Sequence, residues 1–315
     1  MSHTEYQFTF ITHCPATGVE PLRGTRYVPF ATDTRLRSAT DGQAATATAT
    51  ATPLSPSDSL LKACQSIDKD RRRMAYAALP GAIAACTDPG YRDRLVLQLI
   101  RGAAKDELQQ INRKRLCDLP PSFFNPEARY ELSRLIDTTG PSTDRIILLC
   151  AHLGMQDLLP DFRQQLHASP PPPPRIKHAL ILSMARLNDR DALDKLLSFA
   201  GRMEPGDDLA YELAPELLFT RQPEALNFIL DLILSEELSC SSPDPSSSRK
   251  IPCAFHLIEL LGPLVEGFPL PPDSDGSIIY TSMDEALTKT REWIRTNRPG
   301  ISFRPFDQLP LSRIL

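Results

Sequence analysis

The spacing of apolar residues changes character along the chain. "YQFTFIT", Tyr6–Thr12, largely alternates polar and apolar positions and predicts a short strand. "DGQAATATATATPLSPSDS", Asp41–Ser59, carries few bulky apolar side chains. It cannot bury enough surface to offset its ordering entropy and reads as a disordered linker, so residues 1–58 form a flexible N-terminal extension. From Ser59 the period becomes helical. "SLLKACQSI" and "MAYAALPGAIAAC" are apolar at three- and four-residue spacing. "YRDRLVLQLIRGAAKDELQQI", Tyr91–Ile111, predicts a helix broken near Gly102. "NPEARYELSRLI" offers Asn125 as N-cap and Pro126 at the first helical position, with Tyr130, Leu132, Leu135 and Ile136 as a buried stripe.

The strongest pattern is a recurrence. "ILLCAHLGMQDLLPDF", Ile147–Phe162, returns thirty-four residues later as "ILSMARLNDRDALDKL", Ile181–Leu196, with Ile, Leu, Ala, Leu, Asp and Leu in matching places. Gly154 falls opposite Asn188, and these are the two residue types that best tolerate the left-handed conformation closing a helix. Asp157 and Asp191 stand where a second helix needs an N-cap. A weaker third copy aligns Glu224, Ala225, Leu226 and Ile229 with Asp191, Ala192, Leu193 and Leu196, and Pro223 opens its second helix. Each copy reads helix, tight turn, helix. One such hairpin cannot bury its apolar face alone, so a period of this size predicts an all-α fold, an α-α superhelix of stacked hairpins. "HALILSMARL" is apolar over most of its circumference, as a helix between two repeats would be. "AFHLIELLGPLVEGF", Ala254–Phe268, adds a helix ending at Gly262, and Ser282 with Glu285 forms a capping box for the last one. The array spans residues 59–300. Residues 301–315 are a tail that packs back or stays disordered.

The hairpin "ALILSMARLNDRDALDKLL" resembles HEAT-like (armadillo-type) repeats, although its period is shorter than theirs. "CSSPDPSSSRKIPCAFHLIELLGPLVEGFPL" followed by "MDEALTKTREWI" is similar to a group of bacterial HEAT-like proteins. The resemblance covers roughly residues 125–300. It implies an interaction scaffold and no catalytic activity. The Trp/Gly/Tyr signature of tetratricopeptide repeats, which share the 34-residue period, is missing.

Composition narrows the function. The net charge is −4, which gives no general drive toward nucleic acid or anionic lipid. The charge is uneven: residues 65–115 hold 11 Lys and Arg against 6 Asp and Glu, and residues 187–300 hold 10 against 20. Arg71, Arg72, Arg73, Arg113, Lys114 and Arg115 are the candidate basic patch of the first region. No apolar run approaches the roughly 18 residues a membrane helix needs, and the N-terminus lacks the pattern of a secretory signal. Seven widely spaced cysteines, odd in number and several set among Ala and Leu, suit a reducing compartment, and the cytoplasm is the expected location.

Candidate chemistry is sparse. Cys240 and Cys253 bracket the loop "CSSPDPSSSRKIPC", with two readings open: a disulfide pinning the loop, or two thiols at its ends. With His256 they make three candidate ligands where structural zinc needs four at tighter spacing. "DSDGS", Asp273–Ser277, fails the calcium-loop pattern, because Pro271 and Ser282 stand where Asp and Glu are required, and reads as a turn. Pro170–Pro174 is a stiff rod, either an inter-repeat loop or a ligand for an aromatic groove. Trp293 sits at the edge of the last helix's apolar face and seals the terminal repeat. His152, matched by Arg186 in the next copy, is expected to be exposed near a helix end. No histidine sits in a Ser/His/Asp or HExxH arrangement, and no glycine-rich phosphate loop occurs. The sequence therefore predicts no catalytic residue, no cofactor and no metal site. It predicts a non-catalytic scaffold binding another protein or peptide, with a nucleic-acid-associated protein using residues 65–115 as the alternative.

Overall fold

The computed structural model describes residues 56–104, 107–136, 140–235, 238–242, 248–273, 278–304 and 309–315. The expected strand at Tyr6–Thr12, nearly all of the linker and most of the "DSDGS" turn lie outside them. The described residues form thirteen α-helices and one two-stranded sheet, an all-α fold.

The N-terminal helices are α1 (Pro56–Cys64), α2 (Lys69–Ala85), α3 (Pro89–Ala103), α4 (Gln109–Cys117) and α5 (Pro126–Ser133). Asp68 and Asp88 cap α2 and α3 through their side chains. The break predicted near Gly102 falls at the end of α3, where packing requires the glycine. A Cβ there would lie 2.1 Å from the Tyr76 ring and 2.6 Å from Asn112 Nδ2. The Tyr76 hydroxyl in turn accepts a buried hydrogen bond from Gln98 at 2.6 Å. Asn125 caps α5 by accepting from the Ala128 N–H at 2.8 Å, and Pro126 starts the helix. Leu132, Leu135 and Ile136 are buried, but Tyr130 is 66% exposed. The helix ends at Ser133, so the last two of that stripe sit in the following turn, and Tyr130 lies on the outer face.

The recurring segment folds as helical hairpins. The first copy is α6 (Thr143–His152) and α7 (Leu159–Leu166), the second α8 (Pro174–Arg186) and α9 (Arg190–Ala200), the third α10 (Ala214–Thr220) and α11 (Pro223–Leu234). Gly154, Asn188 and Arg221 carry φ of 69°, 65° and 59°, so each hairpin turns on one left-handed residue. In the first two copies the hydrogen bonds around it match. Met155 N–H donates to Cys150 O at 3.1 Å and Gly154 N–H to Ala151 O at 3.0 Å. Asp189 N–H donates to Met184 O at 2.9 Å and Asn188 N–H to Ala185 O at 3.1 Å. This paired closure satisfies the last carbonyls of α6 and α8.

The expected caps are corrected. Asp189, not Asp191, caps α9, accepting from Ala192 N–H at 3.0 Å. The residue after the left-handed turn is the one whose backbone is extended, as an N-cap requires. In the first copy that place belongs to Met155, so Asp157 falls within a single 3₁₀ turn and caps nothing.

The first helices pack in succession, α6 on α8 and α8 on α10. All seven residues from Ala179 to Ala185 are buried, because α8 is covered on both sides. The series continues through α12 (Ala254–Leu261), which packs on α10 and α11, to α13 (Met283–Asn297). Ser282 caps α13, accepting from the Glu285 N–H at 3.2 Å. Trp293 packs edge-on against Phe268, with ring centroids 5.6 Å apart.

Between α11 and α12 lie two strands that the apolar pattern does not reveal, β1 (Leu238–Ser241) and β2 (Lys250–Pro252), paired antiparallel. Cys240 and Cys253 form a disulfide across them, with Cα atoms 5.0 Å apart. Asp207, ahead of α10, accepts from the N–H and hydroxyl of Ser241 at 2.7 and 2.6 Å. These bonds, helped by Lys250, hold its carboxyl below the usual carboxylate range. The C-terminal tail packs back: Leu311 and Ile314 are buried, and the tail touches α6.

Candidate functional site

The three left-handed turns share one edge, and there the inter-hairpin contacts are polar. Side chains of the first and third hairpins donate to helix-end carbonyls of the second. Gln156 Nε2 donates to Leu187 O at 2.7 Å, and Gln222 Nε2 to Ala185 O at 3.0 Å. Arg186 reaches both ways along the stack. Its Nε donates to Ala151 O at 3.3 Å and its Nη1 to Phe219 O, and its guanidinium lies 4.9 Å above the Phe219 ring. Carbonyls accumulate where α6, α8 and α10 end, and arginine supplies the donors there.

Three further arginines converge on the edge. Arg129, from α5, donates to Phe124 O at 3.1 Å and Leu153 O at 2.7 Å. Arg221, the left-handed residue of the third turn, donates to Arg304 O at 3.1 Å and stacks on Phe303, 5.1 Å from the ring centroid. Arg304, in the tail, donates to Val265 O at 3.2 Å. Together these four and His152 line an open cleft of about 540 Å³, and none of its described lining residues is acidic. The described lining is rich in arginine and opens outward, and no nucleophile stands beside a base among those described residues.

His152 is not exposed as its match to Arg186 suggests. It is 4% accessible, and its Nε2 lies 2.9 Å from Leu309 O. The tail folding over the end of α6 covers it.

The candidate basic patch is not one surface. Arg71, Arg73 and Lys114 are exposed, but Arg113 is fully buried. Its guanidinium donates to Ala103 O, Pro141 O and Thr143 Oγ1 at 3.3, 3.1 and 2.7 Å. Burial lowers its pKa, opposed by Asp144. Arg115 donates to Tyr76 O at 2.9 Å, and Arg72 donates to Ser66 O at 2.6 Å and pairs with Glu107. Arg113 thus leaves the surface, and Arg72 and Arg115 are half-buried against backbone carbonyls.

Four other described cysteines, Cys64, Cys86, Cys117 and Cys150, remain thiols. Burial pushes the Cys117 thiol up to about 12 and Cys150 further still, so neither is a nucleophile. Among the described residues no group of His, Cys, Asp and Glu is arranged to hold a metal ion.

Fold and site define a class: an all-α protein of packed helical hairpins with an arginine-lined cleft along its turn edge. No family model, curated protein or solved structure matches the chain.

Proposed function

We propose that the chain is a non-catalytic binding scaffold of HEAT-like hairpins, its partner another protein or peptide. The observation that carries this reading is the shared turn edge. Consecutive hairpins pack through their first helices, and their left-handed turns surround one open cleft rich in arginine. Stacked hairpins present extended surfaces of this kind by construction.

The cytoplasm is proposed as the place of work, on the odd, widely spaced cysteines and the buried thiols among them. In that reducing compartment Cys240 and Cys253 would stand as a dithiol, whereas an oxidising compartment would keep them joined. No described helix is long and apolar enough to cross a membrane.

The test is affinity capture by the full chain from its native lysate, at low and high salt and with parallel nuclease treatment, read by mass spectrometry. A defined protein retained at high salt and unaffected by nuclease is the expected result. Recovery that is nuclease-sensitive and falls steeply with salt would replace the scaffold reading with nucleic-acid binding through the exposed Arg71, Arg73 and Lys114.

A further inference from the structure

We propose that Pro170–Pro174, the run that joins the first hairpin to the second, is a docking surface for a partner domain whose groove is lined by aromatic rings. It lies apart from the turn edge. The left-handed turns close one end of α6 and α8, and the proline run leads into the other end of α8. The proposal therefore stands or falls independently of the turn edge's role.

The backbone of the run is fixed by its chemistry. A proline ring holds φ near −65°, and a residue followed by proline is driven out of the helical region. Pro170, Pro171, Pro172 and Pro173 each meet both conditions, which selects polyproline II. Pro173 has φ −52° and ψ 149°, and Pro171–Pro173 run without a turn or bend until α8 begins at Pro174.

Exposure follows the threefold repeat of that conformation, in which every third residue shares an edge. Pro170 and Pro173 stand on one edge and Pro171 on a second, all exposed, whereas Pro172 on the third is half-buried. The rod therefore rests one edge on the protein and shows two to solvent. A groove that recognises polyproline II takes such ridges between its aromatic side chains. The rod is also anchored. Pro173 O accepts from the Lys177 N–H at 2.9 Å, and Arg175 pairs with Asp144 of α6 at 2.7 Å. A segment already held in its bound shape loses little entropy on docking. The carbonyls of Pro170, Pro171 and Pro172 accept no hydrogen bond from the described residues, so the Trp N–H and Tyr O–H donors of an aromatic groove can reach them. Arg175 is already paired, so recognition rests on rings and carbonyls rather than on charge.

Joining two hairpins does not itself demand such a run. The connection from α9 to the third hairpin, residues 201–207, makes the equivalent link with a single proline, Pro205.

The experiment titrates two fluorescein-labelled probes, an SH3 domain of PxxP specificity and a WW domain that binds proline runs, with the full chain and reads anisotropy. Saturable binding of at least one is expected, and a free peptide copying residues 168–176 should displace it. Pro171→Ala combined with Pro173→Ala takes one ring from each exposed edge and should weaken binding about tenfold. Pro205→Ala, exposed and outside the run, should change nothing. Neither Pro171 nor Pro173 is buried, so the double variant should keep the wild-type urea midpoint. The peptide competition reads the run without altering the chain at all. Binding of neither domain overturns the proposal. So does binding that the peptide fails to displace, or that the double substitution leaves unchanged.

Discussion

His178 on α8 and Glu216 on α10 meet at 2.7 Å, both partly buried between the helices. Burial alone would lower the His178 pKa. The hydrogen bond and charge of Glu216 outweigh it, so the pKa lies above the usual histidine value. The folded protein therefore holds that proton more tightly than the unfolded chain. The stabilisation is complete below the unfolded value of about 6.5 and is lost as pH rises through the raised folded value. Glu216→Gln should lower the His178 pKa and narrow the stability difference between pH 6 and pH 8. An NMR titration of the ring with urea melts at both pH values checks this, and an unmoved pKa would remove Glu216 as the cause. This pair was not legible in the sequence, because its members are 38 residues apart and meet only when α8 packs on α10. The same holds for Arg113 and His152, polar residues that looked like surface. Their buried positions depend on carbonyls from distant segments, at Pro141 and Leu309.

At the scale of the element, hairpin turns were the most readable part of the chain. Gly154 and Asn188 adopt positive φ because glycine and asparagine lose least there. The cap that follows is set by the turn closure, which makes Asp189 the extended residue. Asp189 is buried, caps α9 and pairs with Arg163 of α7 at 2.6 Å, so it locks two hairpins as well as starting a helix. Asp189→Ala should cost about 1–2 kcal/mol, chiefly the lost cap, because the Arg163 guanidinium is more than half exposed and returns to water. Asp191→Ala, exposed in the first turn, should stay within about 0.5 kcal/mol. Urea denaturation of the two variants separates them; equal losses would contradict the assignment of the cap. The β1–β2 pair escaped the sequence because its strands are four and three residues long and carry too little alternation to register.

For the whole molecule, the helices are buried by packing on one another. Helices α4 and α5 both pack on α6, and Leu116, Cys117 and Leu132 are buried. A fragment of residues 59–140 lacks α6 and exposes part of that surface. It is also small enough for its remaining core to be marginal. It should show no cooperative urea transition by circular dichroism. A sharp transition would make it an independent domain and argue against a continuous stack.

Helical class, hairpin turns and recurrence followed from the sequence alone, because each depends on contacts within one or two turns: apolar spacing, a residue that tolerates positive φ, a proline at a helix start. Which cations face water, which histidine is covered, which cysteines join and where arginines from α5, α8, the third turn and the tail surround one space were decided by the tertiary structure. Those outcomes depend on which carbonyls distant helix ends bring within reach, and no local pattern in the chain encodes that distance.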